Sequence, residues 1–591
     1  RHLTTDIDVV TADAATGSMY LTEDDGVTVS SVRTEVTEFK RDAETTLVTD
    51  PAQSDLSTGD NGNIVLVATL GDITLNDGDA GVDQTDGDGR SADGTAVSAH
   101  GTGNILLETL SGSITANAGV LSGTGHITVL ASDSMEFIAK ADISTSDTGT
   151  IDLEATGGSI LLATDADQST GSGDVRMLAN GDLTLGGVIT TTGAVSLTTN
   201  IGTIYDRDET GAVDIVATDL RIDAAFGAGE LGESVNPIET TVSTLSARSG
   251  GGGISLYETD TLVVDTTTAT INRVDDDATT DGVIDADQSD VVTKSGNGSI
   301  VIRVASGDLT LNDGSAPGDN TAVNGHGSGN ILLETLGGSI TANADVLSGT
   351  GHITVLASES MEFTSEADIS TGDTGTIDLE ATSGSIEFAT DADQTTGSGD
   401  IRMLANVDLT LGGVITTTGA VSLTTNTGTI YDGDADGRVD IDATDLRIDA
   451  AVAAGELGES VNPIETTVTS LSARATSGGI NLYETDTLVI DTTKATIYRV
   501  DDDATTDGVN DMITDADQSD VGTTSGDGSI VLQVENGDLT LNDGSAPDDD
   551  RTVSAQGSGN ILLKTLDGSF TGKADIESGS GHITVLSDTD V

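Results

Sequence analysis

GSGNILLETLGGSITANADVLSGTGHITVLAS, residues 327–358, recurs almost unchanged at 101–132 as GTGNILLETLSGSITANAGVLSGTGHITVLAS, and a third version begins at Gly557. Inside it, apolar residues alternate with polar ones, as in Ile331/Leu333 and Ile353/Val355. Period 2 puts each pair on one face of a strand and sends the Asn, His, Thr, Asp and Arg of such words to the other.

The same word sets a beat. Gly329, Gly351, Gly375, Gly399 and Gly419 mark successive starts, 22, 24, 24 and 20 residues apart. A second alternation follows within each beat, at Met361/Phe363, Ile386/Phe388 and Leu409/Leu411, and a third apolar point falls at Val346, Ile369 and Val414. About three short strands per 20–24-residue coil describe one turn of a triangular, all-β solenoid. One coil cannot bury its inner face, so identical coils stack in parallel, aliphatic over aliphatic, with glycine expected where a corner needs positive φ. An array of antiparallel β-sandwiches fits less well, because two-residue NG or DG turns between neighbouring strands are not the rule here.

A longer period contains the short one. Asn104, Asn330 and Asn560 stand in matching GNILL words, 226 and 230 residues apart. This divides the 591 residues into the latter part of a long repeat (1–99), two long repeats (100–325 and 326–555) and the start of another (556–591), expected as one continuous solenoid. The chain starts and stops inside a repeat and opens without a leader-like segment, so a piece of something longer is expected.

Composition narrows the function classes. Aromatics are 2%, Cys and Trp are absent, and Gly numbers 74. The core must therefore be thin and aliphatic, and disulfide scaffolds and thiolate zinc sites are excluded. One hundred acidic residues face 22 basic ones, a net charge of −78. With roughly 25 coils at about 4.8 Å each, that approaches the linear charge density of duplex DNA, about one per 1.7 Å. Such a surface repels nucleic acid and anionic membranes and gathers cations. No run of 18 apolar residues is present, so no membrane insertion is expected.

The coil word, as in GTIDLEATSGSIEF at 375–388, resembles the repeats of filamentous-haemagglutinin-like adhesins, large secreted proteins of Gram-negative bacteria. LGESVNPIETTVSTLSARSGGGGISLYETDTLVV at 231–264, repeated at 457–490, is similar to giant members of the same group. The resemblance implies a right-handed parallel β-helix and an extracellular, cell-surface location. It also implies a role as adhesin shaft, filament or matrix element. Partners would be neighbouring copies or the continuation of the same rod, and cell-surface glycans or matrix.

The acidic residues cluster. DGDADGRVDIDATD at 432–445 sets Asp432, Asp434, Asp436 and Asp440 at positions 1, 3, 5 and 9 of a calcium-loop pattern, with Gly437 at the turn position. Oxygen donors at alternate positions can wrap a hard cation such as Ca2+. Position 12 is Ala443, not Glu, and a strand word follows where such loops enter a helix. The counterpart keeps Asp206, Asp208, Gly211 and Asp214. Further acidic stretches at 77–94, 275–290, 501–520 and 547–551 interrupt the beat and are expected to project as loops.

Parallel β-helices also carry polysaccharide-binding and polysaccharide-degrading proteins, which stand as the alternative. A lyase or hydrolase needs a basic group beside clustered carboxylates or a carboxylate pair at set separation. Arg438 lies in the best acidic loop, but no single coil carries a distinctive cluster. His126, His352 and His582 share one outward strand position and are expected as exposed strand residues. Duplicating a site every long repeat suits a spacer or multivalent binder better than an enzyme. The expectation is therefore a non-catalytic, calcium-supported structural segment.

Overall fold

The computed structural model describes residues 2–78, 94–138, 140–208, 211–231, 235–365, 367–434, 437–458, 461–506 and 511–590. The chain is a parallel β-solenoid of short strands, arranged in two compact units. The first unit comprises 1–230, 236–251 and 266–288, and the second 231–235, 252–265 and 289–591.

In the first unit, the successive coils between Leu56 and Asp206 each contribute one strand to each of three parallel sheets. The first face stacks Ile64–Ala68, Ile105–Thr109, Ile127–Ala131, Ile151–Ala155, Val175–Ala179 and Ala194–Thr199 in register. The second stacks Ile73–Leu75, Ile114–Ala116, Met135–Phe137, Ile160–Leu162, Leu183–Leu185 and Ile204–Asp206. The third stacks Leu56–Thr58, Thr95–Ala99, Gly119–Ser122, Ile143–Ser144, Gln168–Ser169 and Ile189–Thr190. The second unit repeats this plan, with Ile254–Glu258, Ile300–Val304, Ile331–Thr335, Ile353–Ala357, Ile377–Ala381, Ile401–Ala405 and Ala420–Thr425 on its first face.

Inward ranks such as Ile127, Ile151 and Val175 are fully buried, layer on layer. Phe137, Phe363 and Phe388 are buried in these ranks as well, and Phe363 stacks on Phe388 with centroids 4.6 Å apart. The glycines that start each beat act differently from expectation. Gly351, Gly375 and Gly399 do not have positive φ. A Cβ on each would instead collide with the carbonyl oxygen of the corresponding glycine one coil earlier. Close approach of stacked corners, not a left-handed turn, demands glycine there.

Two of the acidic stretches are not projecting loops. Thr270–Val274 pairs antiparallel with Thr280–Ile284, and Thr496–Tyr498 with Met512–Thr514. Each hairpin lies against the first face of its own unit. Ile271 and Val274, like Ile497 and Val500, are buried there, so outward residues such as Leu106, Thr128, Leu332 and Thr354 are buried too. Charge goes under with them: Asp152, fully buried, meets Arg176 at 2.9 Å and Arg273 at 2.7 Å, and Asp378 meets Arg402 at 2.8 Å and Arg499 at 2.7 Å. A third hairpin, Glu35–Phe39 with Thr45–Thr49, is exposed along nearly its whole length. Most of the 77–94 stretch lies outside the described residues.

The histidines follow the hairpins. His126 and His352 are half-buried, not exposed, and bond Thr150 and Thr376 through Nδ1 at 3.0 and 2.9 Å. His352 also lies 5.1 Å from the Tyr498 ring, and burial lowers the pKa of both imidazoles. His582 is exposed, as expected.

Candidate metal centres

One inward rank of the second face reads Ala116, Phe137, Leu162, Leu185 and then Asp206. In the second unit Asp432 likewise follows Leu411. A carboxylate thus stands where the stack would otherwise place a large apolar side chain. Both are nearly fully buried. Burying a charge at such a point costs several kcal/mol unless it is neutralised or paired.

What surrounds it is more carboxylate. After Asp206 the chain leaves the coil and returns at Asp214, immediately before the strand Ile215–Ala224. Asp206, Asp208 and Asp214 each offer an oxygen, and the three lie within 4.8 Å of one another. The Asp208 N–H donates to Asp206 Oδ1 at 2.9 Å, closing the turn. The next coil adds Glu239, near the start of the twelve-residue strand Ile238–Ser249. Its N–H donates to Asp214 Oδ2 at 3.0 Å while the Asp214 N–H donates to the Glu239 carbonyl at 2.9 Å. Asn236 donates to the Asp206 carbonyl at 3.2 Å.

The second unit builds the same cage 226 residues on. Here Asp432, Asp440 and Glu465 present oxygens within 4.8 Å of one another, all three buried. Asp434 donates its N–H to Asp432 Oδ1 at 3.0 Å, and Glu465 donates its N–H to Asp440 Oδ2 at 2.8 Å. Asp436 lies outside the described residues. Gly211 and Gly437 both adopt positive φ, +67° and +71°, so the turn position does require glycine.

Electrostatics show what the cages lack. Burial first, then the neighbouring Asp206, pushes Asp214 up to about 9. Burial likewise raises Asp440 to about 9 and, with Asp206 and Asp432 as the leading charges, Glu239 and Glu465 to about 7. Burial also raises Asp206. The charges acting most strongly on these groups are other carboxylates. Asp206 Oδ2, Glu239 Oε2 and Glu465 Oε2 are buried without a hydrogen-bond partner. An all-oxygen, acidic, inward-aimed donor set fits a hard divalent cation such as Ca2+, which takes six to eight oxygens at about 2.3–2.6 Å.

Spacing along the chain thus marks Asp206, Asp208, Asp214, Asp432 and Asp440, and the structure brings them together within their two cages, with Asp434 beside the second. Spacing misses Glu239 and Glu465. Counting along a helical calcium loop looks for the closing Glu at position 12, whereas a solenoid supplies it from the following coil. The signal was present as PIET at 237–240 and 463–466, recurring with the same 226-residue period as the Asp loops. A third acidic group, Asp6, Glu23 and Asp25, differs, because Glu23 accepts from Thr5 Oγ1 at 2.5 Å and the Ile7 N–H at 2.9 Å.

Comparison with known proteins returns nothing: no family model, no curated protein and no solved structure matches the chain.

Proposed function

We propose that this chain is a non-catalytic structural segment of an extracellular bacterial surface protein of the adhesin type, serving as a stalk or filament element in attachment or matrix formation. Its fold is supported by Ca2+ held at Asp206, Asp208, Asp214 and Glu239, and at Asp432, Asp434, Asp440 and Glu465. One observation carries the reading. The same carboxylate cage is built twice, in the same place in the coil, with buried oxygens that no protein group satisfies. Each cage joins consecutive coils through Asp214–Glu239 or Asp440–Glu465. A cation there ties rung to rung where the solenoid passes from short strands to its longest ones. The resemblance of the coil words to surface adhesins supplies the location and the role.

Thermal unfolding in EDTA and in millimolar Ca2+, at one high ionic strength, tests the reading. Ca2+ raises Tm specifically, and titration calorimetry counts two tight sites per chain. A melting curve that is the same with Ca2+ and with EDTA would reduce the cages to acidic turns and remove the cation from the function.

A further inference from the structure

One outward column at the edge of the first face acts as a hydrogen-bond ladder. In the first unit its rungs are Asn63, Asn104, His126, Thr150 and Asp174, the residues just before Ile64, Ile105, Ile127, Ile151 and Val175. Asn63 Oδ1 accepts the Asn104 N–H at 2.8 Å, Asn104 Oδ1 accepts the His126 N–H at 2.9 Å, and His126 Nδ1 accepts the Thr150 N–H at 3.1 Å. Asp174 Oδ1 accepts the Ala194 N–H at 2.8 Å. The second unit repeats the ladder: Asn330 Oδ1 takes the His352 N–H at 2.9 Å, His352 Nδ1 the Thr376 N–H at 3.1 Å and Asp400 Oδ1 the Ala420 N–H at 2.8 Å.

The rungs on either side of each histidine hold a hairpin. Asn104 donates to the Ala278 carbonyl at 3.0 Å, Thr150 Oγ1 accepts the Asn272 N–H at 3.0 Å, and Asp174 Oδ2 accepts the Thr270 N–H at 2.7 Å. Asn330, Thr376 and Asp400 bond the Ala504 carbonyl and the Tyr498 and Thr496 N–H groups in the same way, at 2.9, 3.0 and 2.6 Å. Beneath these bonds the hairpins cover Val65 and Leu106 in one unit and Val301 and Leu332 in the other.

An amide N–H can only donate, so Nδ1 of each histidine presents its lone pair and the ring proton sits on Nε2. Asparagine Oδ1 keeps its lone pairs at any pH, whereas imidazole Nδ1 gives up its single lone pair on protonation near neutrality. That proton would point at the N–H of Thr150 or Thr376, both buried. Two donors would then face each other, and a buried amide would lose its partner. The threonine it displaces is the one that takes the Asn272 or Tyr498 N–H, so the disturbance passes straight to the hairpin.

The charged groups of the packed elements are engaged elsewhere. Around His126, Asp152 and Glu154 pair with Arg176 and Arg273, while Glu108 and Asp275 to Asp277 gather at the hairpin turn and Asp281 stands across from Arg273. Around His352, Asp378 and Glu380 pair with Arg402 and Arg499, Glu334 with Arg303, and Asp502 with Arg303, with Asp501 and Asp503 beside it. The Tyr498 ring faces His352 at 5.1 Å. Burial is what lowers the pKa of both imidazoles.

We propose that His126 and His352 are acid-sensitive latches: each holds its hairpin, built on Thr270–Val274 or Thr496–Tyr498, on the first face while neutral and loosens it when protonated. Acid thereby uncovers the apolar strip at Val65 and Leu106 or at Val301 and Leu332. The contribution of the neutral ring is complete above the ordinary histidine value of 6.5 and is lost as pH falls through the lowered folded value.

Hydrogen exchange of the full chain in Ca2+, read by mass spectrometry at about pH 7 and about pH 5 with intrinsic rates corrected, provides the test. In wild type the amides of Thr270–Val274 and Thr496–Tyr498 lose protection in acid by on the order of 10-fold, while Ile151–Ala155 and Ile377–Ala381 keep theirs. His126→Asn with His352→Asn supplies at those rungs the acceptor that Asn104 and Asn330 already use, so it keeps the neutral-pH protection and removes the acid response. His126→Ala with His352→Ala, which has no acceptor there, is loose at both pH values. Hairpins equally protected in wild type at both pH values, or hairpins as tight in the Ala pair as in wild type, would overturn the latch. So would an acid response that survives in the Asn pair, since it would belong to carboxyls such as Glu108 and Asp501, which burial raises.

Discussion

Asp152 and Asp214 are both buried carboxylates in the same unit, and the fold treats them in opposite ways. Asp152 is braced by Arg176 and Arg273, and its neighbour Glu154 meets Arg176 at 3.3 Å and also bonds Arg273. Asp214 sits among Asp206, Asp208 and Glu239, and its pKa rises to about 9. The first cluster brings its own cations, Arg176 from the next coil and Arg273 on a hairpin from more than a hundred residues away. The second has to obtain its positive charge from outside, as protons or as a metal ion. Desolvation is similar in kind at both places, so the difference lies in which charges the stacking delivers.

Removing a brace should have the largest effect per site. Arg176→Ala leaves Asp152 and Asp285 short of a cation beneath the hairpin and should cost about 3–5 kcal/mol, equally in Ca2+ and in EDTA. Denaturant melts and hydrogen exchange over 270–284 read it, and a Ca2+-dependent loss would merge the two kinds of cluster. Next, Asp214→Ala with Asp440→Ala should abolish the stabilisation by Ca2+, about 2.7 kcal/mol per site at a hundredfold excess over Kd. In EDTA the same pair of changes should be neutral or stabilising, because it relieves crowded carboxylates. Titration calorimetry and melts in both conditions decide this.

Glu484 offers an intermediate case. It is buried, accepts from Thr466 Oγ1 at 2.7 Å and from the Val468 N–H at 3.1 Å, and burial lifts it to about 8. A folded-state pKa above the usual 4.5 means that its contribution is complete below about pH 4.5 and is lost as pH rises to about 8. Glu484→Gln should flatten that part of the stability–pH curve. The smallest effect belongs to the open surface. Arg438 meets Asp391 at 3.5 Å with both side chains about two-thirds exposed. Arg438→Ala should change stability by less than about 0.5 kcal/mol, and less still in high salt.

Much of this molecule is legible by counting along the chain. Alternation within GNILLET and GHITVLA placed Ile331, Leu333, Ile353 and Val355 inside, and they are buried. The Asp loops placed most of each cage, since Asp206 to Asp214 and Asp432 to Asp440 are local. The hairpins were not legible, because DDDATTDG has the composition of a solvated loop and the apolar anchors Ile271 and Val274 are only two residues beside it. The glycine corners were misread for a related reason. The steric partner of Gly375 is the carbonyl of Gly351, which a one-dimensional scan treats as a repeat, not a neighbour.

The amino-acid sequence alone determined the coil, its period, its aliphatic inside and the carboxylates that crowd at two corners, because all of these arise within about one turn of chain. Only the tertiary structure decided that Glu239 closes a cage and that Arg273 shields Asp152. Those pairings span from one coil to more than a hundred residues, and register between stacked rungs, not spacing along the backbone, sets which side chains meet.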